Sequence, residues 1–159
     1  MKSVENKILS EEQIIGKLES WCAYRERCDS EVRQKLYLLK VEEKETDHYL
    51  NYLREHNFLN EERFIAAFAR GKFNIKNWGK RKIIDELKKK RIEEKKILAV
   101  IAEIDEGMYF IRLQDVLEKK LRLIREADAF KQRLKLIRFA LQKGYEPELI
   151  YEALKTIGV

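Results

Sequence analysis

Apolar side chains return every three or four residues along most of this chain, with charged residues between them, the spacing that gives a helix one apolar stripe. Residues 60–104 show it best. Phe64, Ile65, Phe68 and Ala69 share one face of a first helix, Lys76-Asn77-Trp78-Gly79 interrupts, and Ile83, Ile84 and Leu87 mark a second helix. A third begins near Glu93, where two acids suit a helix start, and carries Ile97, Leu98, Ile101 and Ile104. Upstream, residues 1–10 read as a loose leader. Ser10 with Gln13 three residues on forms a capping box, and the helix it opens runs to about Arg27 with Ile14, Ile15, Leu18, Trp21, Cys22 and Arg25 on one face. Asp29 or Ser30 caps the next helix, in which Val32, Leu36 and Leu39 face inward. Val41-Glu42-Glu43 ends it and starts another carrying Tyr49, Leu50, Tyr52 and Leu53, and Asn60 is the N-cap leading into the central segment. Downstream, Met108, Phe110, Ile111, Leu113, Val116, Leu117, Leu121 and Ile124 predict a long helix to about Glu126. Residues 128–143 follow, with Phe130, Leu134, Ile137 and Leu141 as their core. Gly144 is a C′ stop, and Pro147 sits early in a last helix.

The same design recurs. Residues 35–53 align without gaps on 86–104 at an offset of 51, placing Val41 on Ile92 and Leu53 on Ile104, and 143–157 fit at a further offset of 53, placing Tyr145 on Ile92. Identity between copies is low; apolar position and helix punctuation carry the match. Such a period predicts an all-α fold of tandem three-helix repeats in which each unit covers its neighbour: repeat 1 at 11–57, repeat 2 at 58–104 and repeat 3 at 105–159.

Composition agrees with helices that have wide solvated faces: one Pro, six Gly and 39% charged residues in 159. Cys22 and Cys28 have no second pair to bond with, and with His48 and His56 they make no zinc spacing, so a reducing compartment is expected and a metal site is not. There is no apolar run long enough for a membrane span and no signal-peptide h-region, so the reading is a soluble cytoplasmic protein. Charge changes the picture more. The chain is +6 overall, but Arg70–Lys96 carries +8 and Glu118–Lys143 carries +6, leaving −8 for the remainder. Two cationic blocks in an otherwise acidic chain suit a polyanion or an acidic protein groove.

The first block holds the leading candidates. On a helix from residue 80, Arg81, Lys82, Lys88 and Lys89 fall outside the apolar stripe with Asp85 as the only acid directly among them. Phosphate contact would relieve their repulsion and release counterions. Arg70, Lys72, Lys76 and Lys80 extend the patch. The second block adds Lys119, Lys120, Arg122, Arg125, Lys131, Arg133, Lys135 and Arg138, which could line the same groove if the array curves. Trp78 stacks on a base or anchors a cleft between repeats, and packing is the commoner use of so large a ring. Phe73, Tyr109 and Phe110 are core candidates first and base-stacking candidates second. No Gly-rich phosphate loop, GxSxG or HExxH is present, and no cofactor or enzymatic activity is expected.

The run Phe58-Leu59-Asn60-Glu61-Glu62-Arg63-Phe64, then Lys76-Asn77-Trp78-Gly79-Lys80-Arg81-Lys82-Ile83, then Leu87-Lys88-Lys89-Lys90-Arg91-Ile92, resembles the RecX family of bacterial RecA regulators. Arg91-Ile92 stands where the family commonly has Gly-hydrophobic, and Arg138–Tyr145 is similar to its closing Arg-Gly-Phe pattern. The resemblance covers roughly 11–157 and is specific in 58–92. It implies tandem three-helix repeats in a curved, elongated monomer. It also implies binding in the groove of the RecA–DNA filament and modulation of recombination and DNA repair in the SOS response, usually by inhibition. The partners it implies are RecA and single-stranded DNA, with non-specific duplex contact as an extension and no membrane. Two other readings stand beside it: a free-standing helical DNA-binding protein with helix 79–90 as recognition helix, and an interaction scaffold whose basic faces serve solvation.

Overall fold

The computed structural model describes residues 8–159; residues 1–7 of the expected leader lie outside the described residues. Among the described residues there are nine α-helices, one 3-10 turn and no strand. The chain forms two compact units, one ending at Phe64 and one comprising Ile65–Val159.

In the first unit, α1 (Glu11–Tyr24) opens on the expected capping box: the Gln13 N–H donates to Ser10 Oγ at 3.2 Å and the Ser10 N–H to Gln13 Oε1 at 2.9 Å. It stops short of Arg27. Arg25 is already extended, and Arg27 turns back so that its Nε donates to the Trp21 carbonyl at 3.1 Å while its guanidinium lies 4.1 Å over the Trp21 ring. A helix-terminal carbonyl thereby gains a side-chain donor, and continuing the helix is no longer the only way to satisfy it. The next helix, α2 (Asp29–Leu38), starts one residue before the expected caps. Cys28 is its N-cap, and neither Asp29 nor Ser30 caps it. A 3-10 turn at Glu43–Glu45 leads into α3 (Thr46–Glu55), tied to α2 by ion pairs Arg54–Asp29 and Arg33–Asp47. Leu18, Val32, Leu36, Leu50 and Leu53 fill the core. Cys22 lies in it too, and burial pushes its thiol up to about 11, so it is a packing group and a poor nucleophile.

The remaining helices are α4 (Glu61–Ile75), α5 (Lys80–Lys89), α6 (Glu94–Ile101), α7 (Glu106–Leu123), α8 (Ala129–Lys143) and α9 (Pro147–Thr156). Asn60 caps α4, its Oδ1 accepting from the Arg63 N–H at 2.9 Å, and Asp105 and Asp128 cap α7 and α8 in the same way. In the second unit, α5 packs on α6, α7 on both α8 and α9, and α8 on α9. Ile83, Leu87, Ile97, Leu113, Leu117 and Leu154 are fully enclosed.

One sequence-predicted face is overturned, that of α8, and that of α7 holds at Leu113, Val116 and Leu117 but not at Met108 and Ile111. In α7 the buried residues are Tyr109, Leu113, Val116 and Leu117, whereas Met108 and Ile111 are exposed and the helix ends at Leu123. In α8 the buried residues are Leu136 and Ala140. Phe130 is 70% exposed, Leu134 and Leu141 are each 43% exposed, and Ile137 is half-buried. At about 100° per residue the buried face lies roughly 110° from the Phe130–Leu141 stripe. The helix lies against both α7 and α9, and small Ala140 lets it approach closely; that demand outweighs the stronger apolar periodicity. Leu98 in α6, expected inside, is likewise 46% exposed.

The repeat is visible in the backbone. Lys40, Arg91 and Gly144, spaced by the offsets 51 and 53, all take left-handed conformations, with φ of 62°, 61° and 95°. Each is followed by an apolar residue that turns inward: Val41, Ile92 or Tyr145. In the first and third copies that residue's N–H reaches back along the helix, Val41 to the Leu36 carbonyl and Tyr145 to the Ala140 carbonyl, the stop of a Schellman motif. Arginine at this position carries the Cβ penalty that glycine avoids. Arg91→Gly, which loses only an exposed side chain, is therefore expected to raise stability by roughly 0.5–1 kcal/mol in urea unfolding. A neutral or destabilising result would show that the strain at Arg91 is relieved elsewhere.

Candidate nucleic-acid interface

Helix α5 carries five cations in ten residues and no acid in its first turn, so neither charge nor a capping side chain stabilises its start. Tertiary contacts do so instead. The Gly79 N–H donates to the Lys143 carbonyl at 2.6 Å, the Arg81 N–H to the Gly144 carbonyl at 3.0 Å, and the Lys80 N–H to Tyr109 Oη at 2.9 Å. The amino end of α5 and the carboxyl end of α8 thus satisfy each other's orphan groups, with opposite dipole ends facing. The approach is backbone on backbone. A Cβ on Gly79 would lie under 3.0 Å from the Gly144 carbonyl and the Tyr145 nitrogen, and one on Gly144 would meet the backbone of Lys82. The Gly79, Lys80 and Arg81 amides, which such a helix start would offer to phosphate, are therefore consumed here, and anion chemistry falls mainly to side chains.

Aromatics brace this junction. Tyr109 lies 5.9 Å from Phe73 and 5.3 Å from Tyr145 between ring centroids. Its hydroxyl, besides accepting from Lys80, donates to Glu146 Oε2 at 2.7 Å. Tyr145 donates to the Asn77 carbonyl at 3.1 Å, and Lys143 Nζ donates to the Lys76 carbonyl at the same distance. Burial is the main cause that pushes both tyrosine hydroxyls well above their ordinary range near 10. A raised folded-state pKa means this stabilisation is complete below the unfolded value near 10 and is lost as pH rises past it. Urea midpoints should therefore fall above pH ~10. Tyr109→Phe should flatten that fall and cost about 1–3 kcal/mol at neutral pH, because it leaves the Lys80 amide and a Glu146 oxygen without their partner. An unchanged neutral-pH stability would show that water replaces the hydroxyl.

The sequence-selected cations divide into two groups. Arg70, Lys76, Arg81, Lys88, Lys89, Lys119 and Arg122 are exposed. Lys72 and Lys82 are half-buried, their ammonium groups 4.9 and 4.6 Å from the Trp78 ring centroid on a side chain that also packs edge-on against Phe68. Trp78 is thus an anchor with two cations against it. Lys80 and Arg133 are engaged inside the unit. Lys80, 12% exposed at its side chain, pairs with Glu106 at 2.6 Å, and Arg133 donates to the Val159 carbonyl at 2.6 Å. The expectation that only Asp85 relieves the α5 cations is corrected: Lys88 pairs with Glu94 at 2.9 Å and Lys89 with Glu86 at 3.0 Å. Such exposed pairs are worth about 0–1 kcal/mol, so a phosphate can displace them at little cost.

The two basic blocks meet. A groove of about 630 Å³ is lined by Arg81, Lys82, Lys88, Lys89, Leu141 and Gln142, among others. A second, of about 320 Å³, is lined by Lys120, Arg125, Lys135, Arg138, Phe139 and Gln142, among others. Gln142 borders both, and the Lys120 ammonium lies 4.8 Å over the Phe139 ring. Gln142 and Phe139 were not legible as site residues, since neither type nor spacing distinguishes them from packing and solvated positions. Among the described residues no three His, Cys, Asp or Glu side chains are grouped to hold a metal ion, and no helix is long and apolar enough to cross a membrane.

Comparison with known proteins agrees with this architecture. The family model described as the second three-helix domain of RecX matches residues 60–101, and that of the third matches 109–154. A protein named regulatory protein RecX from Vibrio campbellii is 32% identical over 130 residues, covering 82% of each chain. A protein of the same name from Clostridium beijerinckii is 28% identical over 137 residues, which are 82% of this chain and 62% of that one. The crystal structure of RecX from Lactobacillus salivarius superposes with a TM-score of 0.82 at 18% identity, over 92% of this chain and 95% of that one, a likeness of fold.

Proposed function

The chain belongs to the RecX family, and from that premise we propose that it is a regulator of a RecA recombinase that binds the filament on single-stranded DNA and slows its turnover. One observation carries the reading. The contact of Gly79 with Gly144 brings the α5 start to the end of α8, so that cations far apart in sequence line two grooves that share Gln142. A polyanion of regular spacing fits that arrangement better than a small anion does. Arg81, Lys82, Lys88 and Lys89 are the principal contacts, with Arg70, Lys72, Lys76, Lys119 and Arg122 as the outer field. The roles of Lys80 and Arg133 are positional. A recognition-helix reading of α5 is weaker, because the helix presents charge and no Asn, Gln or Ser for base edges.

The test is single-stranded-DNA-dependent ATP hydrolysis by the cognate recombinase, with wild type and with the variant Arg81→Ala/Lys82→Ala/Lys88→Ala/Lys89→Ala. Wild type is expected to suppress turnover and the variant to lose that effect. If wild type leaves turnover unchanged at several-fold excess, the regulator reading falls. Sequence-specific duplex binding would replace it with the transcription-factor reading.

A further inference from the structure

The outward stripe of α8 takes no part in the interface above except at Leu141, which lines the α5 groove. Phe130, Leu134, Ile137 and Leu141 follow the i, i+4, i+7, i+11 spacing of a heptad seam, and they lie within an arc of roughly 60°. Three of the four are exposed, Phe130 at 70%, and Leu123, 75% exposed at the end of α7, borders the groove alongside. The charged residues that α8 itself contributes around this seam are of a single sign. From Ala129 to Lys143 the helix contains five cations and no acid. On the helical wheel Lys131, Lys135 and Arg138 flank the seam on one side, Lys135 in a half-exposed pair with Glu126 at 3.2 Å, and Arg133, which donates to the Val159 carbonyl, lies on the other.

We propose that this face of α8 is a docking seam for an acidic amphipathic helix of a partner protein. The charge frame selects among occupants. A second copy of this chain would set α8 cations against α8 cations. A nucleic-acid backbone would meet the cations but leave Phe130 and Leu134 against phosphate and sugar, with no apolar surface gained. A helix with apolar a and d positions and Glu or Asp at the flanking positions buries the seam and pairs the frame at once, as coiled-coil partners do. The seam meets the α5 groove only at Leu141, and the inference stands whether or not the partner is a recombinase.

The probe is a synthetic peptide of about three heptads with Leu at a and d and Glu at e and g, whose acids also discourage self-association. It is compared by fluorescence anisotropy with the same peptide carrying Lys at e and g. The full chain should bind the Glu peptide at least tenfold more tightly than the Lys peptide. Phe130→Ser/Leu134→Ser should weaken it at least tenfold, while the Arg81/Lys82/Lys88/Lys89 alanine variant should keep it within about threefold. Both seam positions are exposed, so circular-dichroism melting should show the fold retained; Leu134→Glu is a second variant that opposes the acidic peptide by charge. Undiminished peptide binding by the seam variants overturns the proposal. So does loss of oligo-dT binding in those variants, which would make the seam a nucleic-acid contact. A wild-type dimer abolished by the seam substitutions would assign the face to a second copy and overturn it equally.

Discussion

Gly79→Ala is expected to destabilise the second unit by about 3 kcal/mol. The φ of −78° at Gly79 is open to alanine, so backbone strain is not the cause. The added Cβ would lie under 3.0 Å from backbone atoms of Gly144 and Tyr145, which belong to a helix end that cannot swing aside as a side chain can. Relief requires the α5 start to move off α8, which breaks the Gly79–Lys143 and Arg81–Gly144 hydrogen bonds and strips the Lys80 amide from Tyr109. Overpacking of this kind costs about 1–3 kcal/mol before the broken hydrogen bonds are added. Gly144→Ala should cost at least as much, since it combines a clash on Lys82 with a left-handed φ of 95°. Urea unfolding followed by Trp78 fluorescence in a Trp21→Phe background reads the second unit. A loss under about 1 kcal/mol for Gly79→Ala would mean that the helix ends can separate freely, and the joined basic face would lose its structural basis.

The second large effect is electrostatic. Removing Arg81, Lys82, Lys88 and Lys89 should lower the dependence of single-stranded-DNA affinity on salt by roughly 3 in the slope of log K against log[salt], about 0.7 for each phosphate no longer neutralised. It should abolish suppression of recombinase turnover without disturbing the fold, because none of the four is fully buried. Lys80→Ala supplies the contrast. Its ammonium lies 4.6 Å over Tyr109 and pairs with Glu106, so its loss should lower thermal stability and leave the salt slope nearly unchanged. An unchanged slope in the fourfold variant would remove the phosphate contacts from α5. An equal loss of slope in Lys80→Ala would mean that the Lys80 ammonium leaves Glu106 and reaches the DNA directly.

Much of the fold was readable residue by residue. The Ser10–Gln13 box, the Asn60 cap, the Pro147 start and the Gly144 stop all lie where local chemistry places them, because each depends on groups within a few residues. The offsets 51 and 53, carried by the apolar positions, return as the left-handed residues Lys40, Arg91 and Gly144. The exposed cations of α5 were legible too, since charge clustering is a property of composition. Lys80 was not separable from Arg81 on that basis: neighbours in sequence, one turns toward Tyr109 and Glu106 and the other outward.

The sequence by itself determined that the chain is helical, where most helices start and stop, that three-helix units repeat, and that two segments are cationic. These are local properties, set by side-chain spacing and by caps that act within one turn. Tertiary structure alone decided which face of α8 is buried, that its heptad stripe points outward, and that the two cationic segments share Gln142. The last of those outcomes rests on bonds between residues 63 to 68 positions apart, such as Arg81 to Gly144 and Tyr145 to Asn77. No periodicity encodes which of two apolar faces meets a neighbour. That choice belongs to the neighbour's shape, here the close approach that Ala140 permits and the glycine pair that lets one helix end cap another.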